Sequence, residues 1–405
     1  MDTLTKPISA PRRRTTADTV YPILLLVSVT HLLNDMMQSV IPAVYPLLKA
    51  KFGFSFAQIG LITLVFQMTS SILQPFVGRY ADRHPRPYSL AAGMCFTLAG
   101  LFALALAPGF APILLAVALI GWGSSIFHPE SSRVAQLASG GRKGLAQSIF
   151  QVGGNAGSAF GPLLAALVVI PYGQTSIMWF APAALLAIGI LLRIGNWYKR
   201  QLNAATAAPV TATAAAAELP RRKIRRALLI LTVLVFSKYF YIACMTNYFT
   251  FFLMDKFAFS VQDAQYSLFA FLAASAAGTV IGGPLGDRIG RKYVIWGSIL
   301  GAAPFALMLP YAGSGSAVAL AILVGLIISS AFSAIVVYAT DLMPSRVGMI
   351  AGLFFGLMFG LGGLGSAFFG WLADRTSIEF IFRVSALLPL MGIITGFLPD
   401  VERKR

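Results

Sequence analysis

Four polar residues interrupt an apolar stretch near the start of the chain. In the segment HLLNDMMQSV, residues 31–40, they are His31, Asn34, Asp35 and Gln38. At about 100° per residue, a helix places all four on one narrow face. A charge at the centre of a bilayer costs several kcal/mol unless it faces a partner or a cavity. If this helix spans a membrane, the face should line a water-accessible pathway.

Asp35 is the predicted proton carrier of this face. A buried carboxylate can take up and release a proton, and His31, one helical turn away, could share or relay that proton. The alternative interpretation is a structural ion pair that joins two parts of the protein without titrating. The residue types favour proton transfer.

A second group of ionisable residues lies in the segment GWGSSIFHPESSRV, residues 121–134. His128 and Glu130 are further candidates for proton coupling. Arg133 is a candidate for anion binding. Glu130 and Arg133 are three positions apart, so the two side chains could also simply neutralise each other.

A lone lysine, Lys238, lies deep in another apolar segment, SKYFYIACMTNYFTFF, residues 237–252. An ammonium group surrounded by tyrosines predicts an anion-binding site. Two alternatives are an ion pair with Asp35 and a side chain that snorkels to the membrane surface.

Further residues are predicted to complete the binding cavity because they place amide or phenol groups on polar helix faces. Interhelical hydrogen bonding alone would also explain these faces. The remaining candidates for substrate binding are Gln67, Gln151, Asn155, Tyr239, Tyr241 and Asn247, together with Asn34 and Gln38.

The composition indicates the kind of protein that must hold these residues. Of the 405 residues, 57% are hydrophobic and 11% are charged, against roughly 25% charged in soluble domains. Apolar runs of about 20 residues, long enough to span hydrocarbon, recur along the chain. The sequence therefore predicts an all-α integral membrane protein with twelve transmembrane helices, over 20–48, 57–80, 88–107, 112–137, 145–170, 176–198, 227–253, 264–286, 293–311, 316–340, 347–372 and 377–398.

The net charge of +17 does not indicate nucleic-acid binding, because the basic residues form short clusters between the apolar spans. If the N-terminus is cytoplasmic, 23 basic residues fall on the inside and four on the outside. This asymmetry follows the positive-inside rule and predicts that both termini are cytoplasmic.

The chain also contains an internal repeat. GRYADRHPRP starts at Gly78 and GPLGDRIGRK at Gly283, in each case between the second and third helix of a half. Downstream, Gly144 and Gly348 continue nearly the same offset. These observations predict two pseudo-symmetric six-helix bundles, with the domains 1–19 (cytoplasmic tail), 20–198 (first bundle), 199–226 (cytoplasmic linker), 227–398 (second bundle) and 399–405 (cytoplasmic tail).

These motifs resemble the signature of the major facilitator superfamily, Gly-x-x-x-Asp-Arg-x-Gly-Arg-Lys. The second copy matches in full, whereas the first has Pro85 in place of the second glycine. The glycines would allow close helix approach, the aspartates could accept from a neighbouring helix N-terminus, and the basic residues could latch that side. An ordinary solvated turn is the alternative. The predicted gating residues are Gly78, Asp82, Arg83, Gly283, Asp287, Arg288, Gly290 and Arg291.

Gly157, Gly161 and Pro162, in GNAGSAFGPLLAA, resemble a motif of drug–proton antiporters, although Ala165 and Ala166 replace its last two glycines. Generic packing of small residues would explain the same pattern. Longer segments, including HLLNDMMQS and SSIFHPESSRVAQLASGGRKGLAQSIFQVGGNAG, resemble bacterial exporters of anionic phosphonate antibiotics within this superfamily.

That resemblance implies a proton-driven efflux transporter of the bacterial inner membrane that works as a monomer, surrounded by lipid, on a small anionic substrate. It implies no cofactor, no metal and no nucleic-acid partner. The nearest alternative is a facilitator or exchanger of sugar-phosphates or organic anions. A membrane enzyme using His128 and Glu130 would lack a nucleophile constellation and an extramembrane domain, and a channel would not need the gated repeat.

Overall fold

The computed structural model describes residues 18–205, 220–343 and 347–399. Within these residues the chain forms helices and no strands, and twelve helices are long and apolar enough to cross a membrane. Their spanning parts are α1 Tyr21–Phe52, α2 Phe56–Val77, α3 Ser89–Leu106, α4 Phe110–Leu137, α5 Leu145–Tyr172, α6 Gln174–Asn203, α7 Arg221–Phe257, α8 Val261–Ile289, α9 Arg291–Tyr311, α10 Ser314–Leu342, α11 Leu353–Arg375 and α12 Ile378–Phe397. Helix α2 continues to Arg83, α5 begins at Lys143 and α11 begins at Val347.

The twelve predicted spans are confirmed, and the differences lie at their ends. Helix α7 starts at Arg221 rather than at residue 227, because the basic residues predicted as linker form its first turns. Helix α1 continues to Phe52 but breaks at Val44. Pro42 and Pro46 flank the break, and a proline removes a backbone donor from the helical ladder. The rest of the predicted linker, 206–219, lies outside the described residues.

The helices form two bundles, α1–α6 and α7–α12, as the internal repeat predicts. The most extensive contacts between the bundles are made where α2 packs along α11 and α5 packs along α8. Each bundle also has its own tightly packed pairs, such as α1 with α5 and α8 with α10. Movement of one bundle against the other must therefore change the α2–α11 and α5–α8 contacts.

The antiporter-like motif lies where α5 packs against α1. A Cβ atom on Gly157 would lie 2.2 Å from the carbonyl oxygen of Leu32, and one on Gly161 would lie 2.0 Å from Ser39 Oγ. Only glycine permits this spacing between the two helices. Just after Pro162, α5 forms a π-helical turn over Ala165–Val169.

Hydrogen bonds join the two bundles at one end, which we call the Gly53 end after the turn between α1 and α2. Thr63 Oγ1 donates to Asn247 Oδ1 over 2.7 Å. Gln265 Nε2 donates to the carbonyl oxygen of Ala43, also over 2.7 Å. All four residues are buried. The Gly53 end is therefore closed.

The opposite end, which we call the Gly290 end, carries the repeated motif. Gly290 alone separates α8 from α9, with a φ of 98° that favours glycine. In the first copy, where Pro85 replaces this glycine, the connection is longer and runs from residue 84 to residue 88. The ion pairs that Arg291 forms with Asp287 and Asp341 at this end lie within the second bundle.

Between described residues, the ion pairs of the second copy lie within one bundle, and its gating role stays a prediction. Arg291 lies 3.6 Å from Asp287 and also contacts Asp341 of α10, while Arg288 is exposed. The close helix approach predicted for Gly283 is wrong for this conformation, since nothing lies within 4 Å of its Cβ position. Its neighbour Gly282 makes that approach instead, against α10. The first copy's side chains lie outside the described residues: Gly78, Asp82 and Arg83.

Candidate functional site

Asp35 lies between two histidines that come from different helices. His31, one turn before it on α1, places Nε2 3.3 Å from Asp35 Oδ2. His128 of α4 places Nε2 3.5 Å from Asp35 Oδ1. The side chains of Asp35 and His128 are each 16% exposed, so water can reach the cluster. His31 and His128 both contact Asp35, and the predicted transfer of a proton among these residues stays a prediction.

The two ring Nδ1 atoms fix how the histidines face Asp35. His31 Nδ1 lies 2.8 Å from the carbonyl oxygen of Phe150, and His128 Nδ1 lies 3.0 Å from that of Ser124. A carbonyl oxygen can only accept, so each Nδ1 carries a hydrogen and each Nε2 faces the carboxylate. A bare Nε2 would repel a bare carboxylate oxygen. The contacts are favourable when a proton lies between each pair, which is the requirement for a proton-binding site.

Helix α5 shapes the site around His31. The ring of Phe150 stacks on the ring of His31, with the centroids 4.0 Å apart. A Cβ atom on Gly154 would lie 2.3 Å from His31 Cε1 and 2.9 Å from Asp35 Oδ2. On α1, Asn34 Nδ2 donates to Asp35 Oδ1 over 2.9 Å. These contacts leave His31 and Asp35 little freedom to move.

On the side of His128, hydroxyl groups link the site to other helices. Ser124 Oγ lies 3.2 Å from His128 Nδ1 and donates to Gln38 Oε1 over 3.2 Å. Ser70 of α2 donates to Ser124 Oγ over 2.9 Å. The ring of Phe359, from α11 in the other bundle, lies 5.9 Å from the ring of His128. His128 therefore stands at the boundary between the bundles.

By spacing alone, the cluster could also hold a metal ion. One ligand atom each from His31, Asp35 and His128 lies within 4.8 Å of the others. Two imidazoles and a carboxylate are a ligand set that Zn²⁺ accepts. The sequence predicts no metal, and chelation is therefore a control in the experiment below.

Glu130 and Arg133 form the pair that their spacing predicts. Arg133 Nε lies 3.3 Å from Glu130 Oε1, and Ser89 donates to Glu130 Oε2 over 3.5 Å. Glu130 is 1% exposed. The predicted roles of Glu130 in proton coupling and of Arg133 in anion binding stay predictions.

Lys238 of α7 is buried inside the second bundle, 1% exposed. Its Nζ has no hydrogen-bond partner among the described residues and lies 5.5 Å from the ring centre of Tyr239 and 5.8 Å from that of Phe332. The ion pair with Asp35 is not formed here, because Asp35 faces the histidines. Snorkelling is also wrong, because Nζ is buried.

Comparison with known proteins identifies the family. The Major Facilitator Superfamily model matches residues 27–260 and 239–405. The chain belongs to the major facilitator superfamily. It is 57% identical, over 98% of both chains, to the Fosmidomycin resistance protein of Escherichia coli K12. It is 42% identical, again over 98% of both, to the uncharacterized MFS-type transporter YfnC of Bacillus subtilis 168.

Solved structures show the same fold at low sequence identity. A bacterial homologue of the human lysosomal transporter Spinster, in an inward-facing and occupied conformation, matches with a TM-score of 0.72 at 16% identity over 94% of both chains. The nucleoside transporter NupG matches with a TM-score of 0.70 at 14% identity, over 93% of this chain and 98% of that one. As a superfamily member the chain is a multi-pass membrane transporter of small molecules rather than an enzyme, as the sequence predicts.

The amide residues predicted to line the superfamily's central cavity are partly buried and have unused hydrogen-bonding atoms. Gln38 Nε2, Gln67 Oε1 and Asn155 Nδ2 have no partner among the described residues. Gln151 Nε2 donates to Asn155 Oδ1 over 3.4 Å. Buried polar atoms are normally bonded, so these groups have capacity for water or a ligand.

Three other predicted binding residues lie elsewhere. Asn247 uses its amide group to accept from Thr63 and to donate to the carbonyl oxygen of Ala243, so in this conformation it closes the Gly53 end. Tyr241 is 2% exposed and belongs to the apolar core. Tyr239 lies beside Lys238.

The sequence prediction missed Phe150, Gly154 and Ser124. Phe150 contributes a backbone carbonyl, which no residue type reveals. Gly154 had a signal, since it lies in the run GGNAG within the stretch that supplies the close contacts with α1. Ser124 lies four residues before His128 on α4, the spacing at which side chains share a helix face.

Proposed function

We propose that the chain is a proton-coupled antiporter that exports a small anionic phosphonate, such as fosmidomycin, by alternating access. The relative named Fosmidomycin resistance protein supports this class of substrate. The observation that carries the proposal is Lys238, whose buried amino group has no hydrogen-bond partner among the described residues. An unpaired buried charge is strongly unfavourable, and an anionic ligand would neutralise it.

Protons are proposed to bind at His31, Asp35 and His128. Each Nε2 faces a carboxylate oxygen, so a proton in each contact is stabilised by both groups. The two bundles would then bind either protons or substrate. Binding of either one favours the change between the conformations open to the two sides of the membrane. Lys238 has no hydrogen-bond partner among the described residues in this conformation, so its amino group could bind the phosphonate.

The proposed arrangement in the inner membrane follows the distribution of basic residues. Both termini and the linker around 199–226 would be cytoplasmic, and the Gly53 end would face the periplasm. The conformation described would then be closed to the outside. The remaining proposed boundaries are those of the sequence prediction, except that the second bundle begins at Arg221, and both bundles act in one monomer.

Substrate-dependent proton movement in proteoliposomes tests the proposal. Purified protein is reconstituted with a trapped pH dye, a pH gradient is imposed, and fosmidomycin is measured on both sides. The parent protein should move drug and protons in opposite directions. Asp35→Asn should lose gradient-driven export yet keep exchange of labelled for unlabelled drug, whereas Asp263→Asn, which changes an exposed carboxylate, should behave as the parent.

Two results would overturn the proton assignment. Full gradient-driven export by Asp35→Asn would remove Asp35 from the coupling. Loss of export after treatment with a chelator, restored by Zn²⁺, would make the cluster a metal site instead.

Drug affinity tests Lys238 separately. Lys238→Ala should weaken fosmidomycin binding by at least about tenfold, the factor that 1.4 kcal/mol gives. Lys256→Ala is the matched control, since Lys256 is occupied by Glu379 and by the carbonyl oxygen of Pro310. Unchanged affinity in Lys238→Ala would exclude Lys238 as the anion site.

A facilitator or exchanger of sugar-phosphates or organic anions is the second candidate, because Lys238 would neutralise a phosphate or carboxylate equally well. Exchange of labelled fosmidomycin against unlabelled metabolite anions separates the two. Faster exchange with a sugar-phosphate than with fosmidomycin, and no proton movement, would favour the second candidate.

A further inference from the structure

Asp374, at the end of α11, bonds to the first turn of α2 in the other bundle. Its Oδ1 accepts from the backbone N–H of Phe56 and its Oδ2 from that of Ala57, each over 2.8 Å. The first N–H groups of a helix have no partner in their own helix and form the positive end of its dipole. Ser55 caps only Gln58. The first turn of α2 is therefore fully capped only while the bundles touch.

The sequence around Asp374 repeats the gate motif at the opposite end of the protein. Gly370, Trp371, Leu372, Ala373, Asp374 and Arg375 read Gly-x-x-x-Asp-Arg, as do the copies that begin at Gly78 and Gly283. The glycine has a role here as well. A Cβ atom on Gly370 would lie 2.2 Å from the carbonyl oxygen of Phe56, so its absence lets α11 reach α2.

Charge distinguishes these bonds from the other contacts that close the Gly53 end. Thr63 with Asn247, and Gln265 with the carbonyl oxygen of Ala43, are neutral pairs. By contrast, the two hydrogen bonds that Asp374 accepts across the bundles end on a charged carboxylate. Hydrogen bonds to an ionised acceptor are about twice as strong as neutral ones.

We propose that Asp374 is the latch of the Gly53 end. While its carboxylate caps α2, the two bundles are held together at this end. When the end opens, α2 and α11 separate there and water replaces Asp374 at the helix terminus. Asp374 is exposed, so water can make this replacement and the latch can open in every transport cycle.

This latch rests on the alternating access of the proposed function, but not on the identity of the substrate or on proton coupling. Its test therefore uses no substrate and no pH gradient, and a failed phosphonate assay would not affect it. The required readout is how often the Gly53 end opens.

Ser366 supplies the reporter position. It is fully buried on α11 against Gly60 of α2, and its hydroxyl has no partner among the described residues, so Ser366→Cys is a mild change. Both native cysteines, Cys95 and Cys244, are replaced by alanine. The rate at which a polar maleimide labels the new thiol in detergent then measures opening of the Gly53 end.

In this background Asp374→Asn should be labelled about tenfold faster than the parent, because the charged cap is lost. Asp263→Asn is the matched control: its carboxylate also lies at the first turn of a helix at the Gly53 end, but it bonds within α8 and its own cap. The control should be labelled at the parent rate. Equal rates for the parent and Asp374→Asn, or an equal rise in the control, would overturn the latch.

Ala57→Pro tests the other side of the same bond. Proline removes the N–H that donates to Asp374 Oδ2, and it is tolerated in the first turn of a helix. It keeps every charge, so it remains informative if Asp374→Asn folds poorly. Ala57→Pro should also be labelled faster, and the double variant should be labelled no faster than Asp374→Asn alone. Multiplied rates in the double variant would mean that the two residues act independently, which would overturn the proposal.

Discussion

Gly154 of α5 offers a direct test of how the proton site is held. In Gly154→Ala the new methyl group would lie 2.3 Å from His31 Cε1 and 2.4 Å from His31 Nε2. Carbon atoms in contact are normally about 3.5–4.0 Å apart, so the ring must move by more than about 1 Å. It cannot retreat freely, because Phe150 stacks on the ring and accepts from its Nδ1.

The expected result is a protein that still binds and exchanges drug but no longer couples this exchange to protons. Overpacking of this kind costs about 1–3 kcal/mol, so the unfolding temperature should fall as well. Gly189→Ala is the matched control, since it lies on α6 with nothing within 4 Å of its Cβ position. There alanine should be neutral or should stabilise the helix by up to about 1 kcal/mol.

Thermal unfolding in detergent and the proteoliposome assay measure the two effects separately. Drug exchange without a gradient reports binding and alternation, while gradient-driven export also requires the proton site. A merely structural role for Gly154 would lower both rates together. Gly154→Ala with the parent's unfolding temperature and the parent's gradient-driven export would refute the reasoning.

Three further substitutions have expected outcomes. Lys238→Met should weaken phosphonate binding by at least about tenfold, as in Lys238→Ala. It should also raise the unfolding temperature, because a buried amino group without a described partner is replaced by an apolar side chain. A lower unfolding temperature would mean that Lys238 has a stabilising partner. Thr63→Val removes the hydroxyl that bonds both Tyr45 and Asn247, and it should destabilise the protein by about 1–3 kcal/mol in thermal unfolding. Thr232→Val should cost less, because that hydroxyl bonds only within its own helix. Equal losses of stability would contradict the cross-bundle role of Thr63. Gly290→Ala forces alanine to a φ of 98° and should cost about 1–3 kcal/mol in thermal unfolding, while Gly297→Ala, in open space on α9, should not. A neutral Gly290→Ala would show that the turn relaxes.

The membrane helices could be predicted because their length and apolarity are imposed by the bilayer. The interruptions inside them could not be placed in the same way. The break at Val44 and the π-helical turn at Ala165–Val169 depend on how prolines and neighbouring helices satisfy freed backbone groups. The start of α7 was missed because basic residues suit a linker and an exposed helical turn equally well.

In the candidate site, the pairing of His31 with Asp35 could be predicted because residues four apart share a helix face. The contact of His128 with Asp35 could not be predicted, because the sequence does not reveal which face of α4 meets α1. The suggested pair of Lys238 with Asp35 failed for a related reason. Two residues at corresponding depths in the two bundles need not point towards each other. Lys238 lies within its own bundle, beside Phe332.

The two histidine contacts of Asp35 differ in what can change their length. His31 sits one turn away on the same helix and is clamped by Phe150, so its separation from Asp35 is set by helical geometry. His128 arrives on another helix and has Phe359 of the opposite bundle against its ring. His128 and Asp35 both belong to the first bundle, so rocking of the bundles reaches this contact only through Phe359 against the His128 ring. If the cluster binds protons as proposed, the proton shared with His128 would leave first and the proton shared with His31 second.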